Sequence, residues 1–405
     1  MISRDSYIEQ IEPFINKPFV KVMTGIRRSG KSVILRLLTD ELLRRGVLED
    51  HIIYMNFESF EWIYYLDSKI LYSYIRSRIE DKDTYYILLD EIQVVAEWEK
   101  AVNSFLVDFN SDVYVTGSNS NMLSSELATY LTGRYVSFHI MTLSFKEYLR
   151  FHDIVLGGHD VNMKEEFIKY LRSGGFPAIH TADYTYDAIY RIVYDIYSSV
   201  ILRDTVQRNN IRNIELLERI VKFAFDNMGN KLNAKNIADY FKSQHRKVDL
   251  NTVYNYLNAL ESAFIIQRVP RYDVKGKEVL QTNEKYFVSD LSLIYAVMGY
   301  KDRMIAGMLE NLVYLELKRR GYDVYVGKQD DKEVDFVAIL RDEKIYVQVT
   351  YQLSSPATVE REFAPLLAIN DHYPKYVVSM DDFFQDNIEG VKHCYIADFL
   401  LCESL

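Results

Sequence analysis

The chain has 405 residues, a formal net charge of −10 at pH 7, 48% hydrophobic and 26% charged residues, and two cysteines. Its length suits two or three domains and its composition is that of an ordinary globular protein. The acidic balance argues against a protein that coats nucleic acid non-specifically. Cys394 and Cys402 are too few for a disulfide framework or a four-cysteine zinc site, which suits a reducing, cytoplasmic setting. The 33 tyrosines are scattered and read as half-buried filler. The opening MISRDSYIEQIEPFINKPF has no apolar h-region, and no run of about 18 apolar residues occurs, so no membrane association is expected.

The first element is a β-branched run, Val20 to Thr24, followed by Gly25-Ile26-Arg27-Arg28-Ser29-Gly30-Lys31-Ser32 and an amphipathic helical pattern carrying Val33, Leu35, Leu37 and Leu38. The octapeptide fits G-x-x-x-x-G-K-[ST] between a strand and a helix, the setting of a phosphate-binding loop. Gly25 and Gly30 permit the turn that points consecutive N–H groups at phosphate oxygens, and the helix N-terminus adds to the positive field. Lys31 is expected to reach the β- and γ-phosphates of ATP, and the Ser32 hydroxyl to ligate Mg²⁺.

Four further apolar runs follow, His51 to Phe57, Tyr85 to Asp90, Val113 to Gly117 and Tyr135 to Ile140, with helical patterns at 31–45, 68–80 and 97–108. Alternation of this kind predicts a parallel sheet covered on both faces, with chemistry at the carboxyl ends of its strands. Ile87-Leu88-Leu89-Asp90-Glu91 has the form of a Walker B strand. Asp90 is expected to hold Mg²⁺, and Glu91 to orient and polarise the attacking water. Val115-Thr116-Gly117-Ser118-Asn119 brings small polar side chains to the same rim, where Ser118 or Asn119 suits a sensor of γ-phosphate or water. Asn56, closing the second strand, is a candidate to restrain Glu91.

GIRRSGKS, ILLDEIQ, VTGSNSNML, LTGRY (Leu131 to Tyr135), LSFKEYL (Leu143 to Leu149) and SGGFPA (Ser173 to Ala178) together resemble the AAA+-type P-loop ATPases of the prokaryotic "archaeal ATPase" kind that carry a C-terminal domain of unknown function. The resemblance implies an additional-strand sheet, with Asp90-Glu91 on a strand between the phosphate-loop strand and its neighbour. It also implies a preference for adenine. Arg134 becomes a candidate arginine finger toward the ATP of a neighbouring subunit, hence a homo-oligomer.

Residues 150–225 read as helical, broken once at Ser173-Gly174-Gly175-Phe176-Pro177, and suit a helical lid with Arg172 and Arg203 as candidate phosphate contacts. Asn233–Phe241 and Asp249–Ala263 read as two short helices, and Phe264 to Val269 alternates into a wing. Between 231 and 280 nine Lys/Arg face five Asp/Glu, a surplus that suits contact with DNA phosphates. In the last third Glu310 and Glu316 lie on a helical pattern, Val334-Asp335-Phe336 on a strand and Gln348-Val349-Thr350 on the next. This order resembles the PD-(D/E)xK nuclease core, in which the last triplet is acid-x-Lys. Glutamine and threonine in the acid and lysine positions predict a degenerate site without cleavage chemistry.

The expected organisation is α/β throughout. A P-loop AAA+-type parallel sheet (1–150) and helical lid (151–225) precede a winged-helix domain (226–300) and a restriction-endonuclease-like α/β domain (301–405). The expected function is that of a Mg²⁺-dependent ATPase acting as a nucleotide-driven switch, with DNA as a candidate target. An ATP-regulated DNA nuclease and a non-catalytic ATP-binding regulator or scaffold for a protein partner are the alternatives.

Overall fold

The computed structural model describes residues 2–123, 131, 133–154, 161–246, 248–383 and 387–402; Thr132 of the LTGRY turn and Lys247 of the basic stretch lie outside the described residues. The chain divides into two compact units, Met1–Thr142 with Ser262–Phe264, and Leu143–Glu261 with Ile265–Leu405.

The first unit is built on five parallel strands, β1 (Val20–Thr24), β2 (Ile52–Asn56), β3 (Tyr85–Asp90), β4 (Ser111–Gly117) and β5 (Tyr135–His139), in the order β2-β3-β4-β1-β5. Every residue of β1 and of β3 is buried, as expected of strands covered on both faces. Side-chain alternation splits β3 between two cores. Ile87 and Leu89 pack with Leu71, Ile75, Trp98, Val102 and Phe105 from the helices Ser68–Arg78 and Trp98–Asp108. Tyr86 and Leu88 pack with Ile34, Leu35, Leu38 and Leu42 from the helix Lys31–Arg44. The inserted strand is β4, which pairs with both β1 and β3; the Asp90-Glu91 strand therefore lies one place further from the phosphate loop than the resemblance implied. The cause lies in β4 itself. Val113 and Val115 point into one core and Tyr114 into the other, so this strand is apolar on both sides and takes a central place.

The second unit holds an eight-stranded mixed sheet in the order β12-β13-β11-β10-β9-β8-β6-β7, where β6 is Ile266–Asp273, β7 Glu278–Val288, β8 Asp323–Gln329, β9 Lys332–Leu340, β10 Glu343–Val349, β11 Lys375–Ser379, β12 Asn387–Ile388 and β13 Val391–Tyr395. The helix Phe145–Phe151 packs with the later helix Met163–Ser173, the Phe145 ring lying against Phe167 and Tyr170, so this helix belongs to the second compact unit. The stretch Phe264 to Val269, expected as a wing, leads into the hairpin β6-β7, which belongs to the sheet of the C-terminal third, β6 pairing with β8 in parallel. Phe287 of β7 stacks on Tyr314 and lies tilted against Phe336, an aromatic cluster that ties the hairpin to the C-terminal third.

The two short helices read from the sequence are present at Ala234–Ser243 and Leu250–Ser262. In SGGFPA, Gly174 has φ +76°, and a Cβ there would come within 2.2 Å of an Asp290 carboxylate oxygen. The same carboxylate accepts the Gly175 N–H at 2.8 Å, so this motif has a local architectural role. No helix among the described residues is long and apolar enough to cross a membrane.

Candidate nucleotide-binding site

The loop between β1 and the helix Lys31–Arg44 is shaped by two glycines. Gly25 has φ +152°, and a Cβ on it would meet the Ile140 carbonyl oxygen at 2.1 Å; Gly30 has φ +102°. Only glycine fits either place. The helix starts directly after Gly30 without a side-chain cap, so its first N–H groups are left for a ligand. Ile26 is buried under the loop, Arg28 is exposed at φ +64°, and Arg27 pairs with Glu58. Ser29 is fully buried and its Oγ has no partner, an orphaned donor inside the cradle.

Lys31 is 3% exposed and its Nζ lies 3.1 Å from the Gly25 carbonyl, 3.3 Å from that of Ile26 and 3.6 Å from Glu91 Oε1. The ammonium is thus held by groups that it can exchange for phosphate oxygens. Asp90 is completely buried at the tip of β3. Thr116 Oγ1 donates to its Oδ1 at 2.5 Å and the Tyr54 hydroxyl to its Oδ2 at 3.1 Å. Burial raises the Asp90 pKa above the usual carboxylate range, against hydrogen bonds from Ser32 and Thr116, which favour the anion. Ser32 and Asp90 therefore share one spot, as a Mg²⁺ site requires. Tyr54 is pushed up to about 12 by burial and by the Asp90 charge, so it stays a donor.

Glu91 occupies a left-handed turn at φ +56°; its N–H donates to Thr116 Oγ1 at 2.9 Å and its Oε2 accepts from Gln93 Nε2. One threonine hydroxyl thereby fixes both carboxylate residues. Asn56 does not restrain Glu91. Its Oδ1 accepts the Glu58 N–H at 2.9 Å, because Asx side chains at strand ends favour the backbone two residues on. Ser118 and Asn119 are buried at the end of β4, on the rim that bears Asp90 and Glu91. Thus Lys31, Ser32, Asp90 and Glu91 come together as expected, and the loop fits a nucleoside triphosphate with Mg²⁺: an orphaned hydroxyl, free helical N–H groups, one buried ammonium and a Ser/Asp pair. Thr116, Gln93 and Arg4 complete it. Arg4 is buried and its guanidinium donates to the Ser29 and Met141 carbonyls, both at 2.9 Å, which pins the loop to the end of β5.

Arg134 is at the opposite end of the sheet. It directly precedes β5, whose Tyr135 is level with Val20 at the start of β1, and its guanidinium donates to Asn103 at 3.0 Å. At about 3.3 Å per residue, the length of β1 separates it from its own phosphate loop.

The C-terminal carboxylates form a second cluster around a residue that the sequence reading did not single out. Lys285 of β7 is 3% exposed and its Nζ lies 3.2 Å from Glu310, 3.0 Å from Glu333 and 3.5 Å from Asp335. Burial lowers the lysine pKa, but the three acids outweigh it and raise it. Glu310 is pushed up to about 8, first by burial and then by the Asp335 charge. Asp335 is raised by burial, against Lys285 and the Val349 N–H, which donates to it at 2.8 Å. Gln348 Oε1 accepts the Asp335 N–H at 3.2 Å and Gln348 Nε2 donates to Glu362 at 3.1 Å, so the glutamine serves as a hydrogen-bond bridge.

In the 231–280 stretch several of the basic residues are held in ion pairs. Lys231 and Arg271 pair with Glu333, Arg246 with Glu215, Arg268 with Glu261 and Glu284, and Lys275 with Asp330. Several of these acids lie outside the counted window. Arg172 rests over the Tyr300 ring at 4.8 Å, and Arg203 is exposed.

A glycine-turned phosphate loop, a carboxylate strand tip and the order β2-β3-β4-β1-β5 define a P-loop AAA fold, and the sequence model of an AAA domain matches residues 17–149. A domain of unknown function (DUF8612) matches residues 164–303. The chain is 39% identical over 403 residues to an uncharacterized protein of Haemophilus influenzae, covering 99% of each chain. It is 32% identical over 371 residues to an uncharacterized protein of Methanocaldococcus jannaschii, covering 89% of this chain and 80% of that one. The protein belongs to the family of these two relatives, with an AAA domain at its N-terminal end. Among solved structures, an ORC1 protein of Aeropyrum pernix in complex with DNA aligns over 76% of this chain and 94% of its own, at 15% identity and a TM-score of 0.31.

Proposed function

We propose that this protein is a Mg²⁺-dependent ATPase in which nucleotide turnover switches the arrangement of the parts outside the AAA domain. The observation that carries this reading is the meeting of Lys31, the Ser32/Asp90 pair and Glu91 at the carboxyl ends of β1 and β3. Mg²⁺, when bound, neutralises charge on the transferred phosphoryl group. Ser32 and Asp90 hold it. Lys31 exchanges two loop carbonyls and Glu91 for phosphate oxygens, and this exchange frees Glu91 to take a proton from water. Gly25, Ile26, Arg27, Arg28, Ser29 and Gly30 supply the loop around the phosphates, and Ser118 and Asn119 are the candidate sensors at its rim.

Arg134, remote from its own loop, suits action on a neighbouring copy. Arg134→Ala should slow hydrolysis with affinity nearly intact, and mixing it with Glu91→Gln subunits should restore some rate; a concentration-independent rate with no rescue removes the finger. The helices of residues 163–226 suit a lid. DNA is the candidate partner through residues 231–280, where ion pairs with acids already hold Lys231, Arg246, Arg271 and Lys275.

Steady-state hydrolysis of Mg-ATP, with and without DNA, tests the whole. Turnover supports the ATPase, stimulation by DNA adds the target, and metal-dependent nicking would favour the nuclease reading instead. ATP binding without turnover would favour a regulator or scaffold.

A further inference from the structure

Gln93 is two residues beyond Glu91, in the short turn Ile92–Val94 that succeeds β3. Its Nε2 donates to Glu91 Oε2. A carboxylate only accepts, so the amide must present its NH₂ group there, and this fixes which side-chain atom is oxygen. That oxygen, Oε1, is buried and has no partner. It is packed against the end of β4, where a Cβ on Gly117 would come within 2.4 Å of it, immediately before Ser118 and Asn119. A hidden carbonyl without a donor is rare and unfavourable, and here it adjoins the residue that takes the proton.

Resting on the ATPase reading above, we propose that Gln93 positions the attacking water: its Nε2–H orients the Glu91 carboxylate while its Oε1 accepts one hydrogen bond from the water that Glu91 deprotonates. The two contacts come from atoms on one carbon, so base and water are set relative to each other by a single rigid amide. In the reaction the water oxygen forms a bond to the γ-phosphorus, the bond from that phosphorus to the β–γ bridging oxygen breaks with its electrons going to ADP, and the water proton passes to Glu91. Gln93 itself gains and loses nothing. It holds the geometry in which the water lone pair faces phosphorus.

Two variants separate this from a packing role. Gln93→Met keeps the length and removes both donor and acceptor; kcat should fall about 10–100-fold, with the KM for ATP and the melting temperature close to the parental values. Gln93→Glu keeps the shape and the acceptor but places two carboxylates side by side. A shared proton restores a donor toward Glu91, so its activity relative to the parental protein should recover as the pH is lowered. Parental kcat in Gln93→Met while Glu91→Gln is inactive would overturn the proposal. So would losses of kcat, KM and melting temperature together, or a Gln93→Glu deficit independent of pH. A parental protein that binds Mg-ATP but never turns it over would instead remove the ATPase reading on which the proposal stands.

Discussion

Among the described residues two carboxylate clusters each surround one buried lysine, and they are built for opposite ends. At the AAA site Lys31 is on a glycine-turned loop, held by two carbonyls and at 3.6 Å by one oxygen of Glu91. In the C-terminal cluster Lys285 is fixed in a β-strand and faces three carboxylates at 3.0 to 3.5 Å. The first ammonium has partners that a phosphate can replace. The second is a counter-ion held between the carboxylates of its cluster. Clustered acids thus become a site only where the cation beside them can be given up, and the C-terminal cluster offers no equivalent of the Ser32/Asp90 pair.

The sharpest way to break this comparison is at Lys31. Lys31→Ala removes the one ammonium inside the loop and should abolish tight Mg-ATP binding in a calorimetric titration; unchanged affinity would mean that the loop is not a nucleotide cradle. Glu91→Gln should leave binding intact and lower turnover by roughly 10²-fold or more. Hydrolysis at the parental rate would show that Glu91 is not the base. Lys285→Met tests the other side. It leaves the buried Asp335 and the adjoining Glu310 without their ammonium partner, while Glu333 keeps Lys231 and Arg271, so unfolding should become easier by about 3–5 kcal/mol, while the affinity for Mg-ATP is unchanged. Stability within error of the parental protein would show that the lysine is not the counter-ion.

The two clusters also differ in how far the sequence exposed them. The loop, Asp90 and Glu91 are contiguous with the elements that carry them, so a strand-loop-helix pattern and a strand ending in acids were enough to place them. The partners that hold them were hidden. Thr116 meets Asp90 and Glu91 only because β4 pairs beside β3, and no spacing encodes Arg4 reaching Ser29 from before the first helix. Asn56 looked suitable by position, but a local backbone N–H captured it. Lys285 lies on β7, outside the stretch read as a wing, and nothing in its spacing ties it to Glu310, Glu333 and Asp335, which it meets only because β7 joins the same sheet. Short-range geometry was legible; cross-strand pairing was not.

The smallest expected effect concerns protons in that cluster. Glu310 packs beside Lys285 and Asp335, and its burial together with the Asp335 charge pushes its pKa up to about 8. In the unfolded chain a glutamate titrates near about 4.3. Between these values the folded protein binds a proton that the unfolded chain has released. The stabilisation is therefore complete below the unfolded pKa and is lost as the pH rises through 8. Asp335, also raised, acts with the same sign. Glu333 is lowered, because Lys285 and Lys231 outweigh the effect of its burial, so its contribution is lost only toward acid pH. The melting temperature of the second unit should accordingly fall by a few degrees from about pH 6 to pH 9. In Glu310→Gln, a neutral side chain that cannot ionise, most of that slope should disappear. A parental melting temperature that stays level or climbs over this range would show that Glu310 is already ionised in the fold.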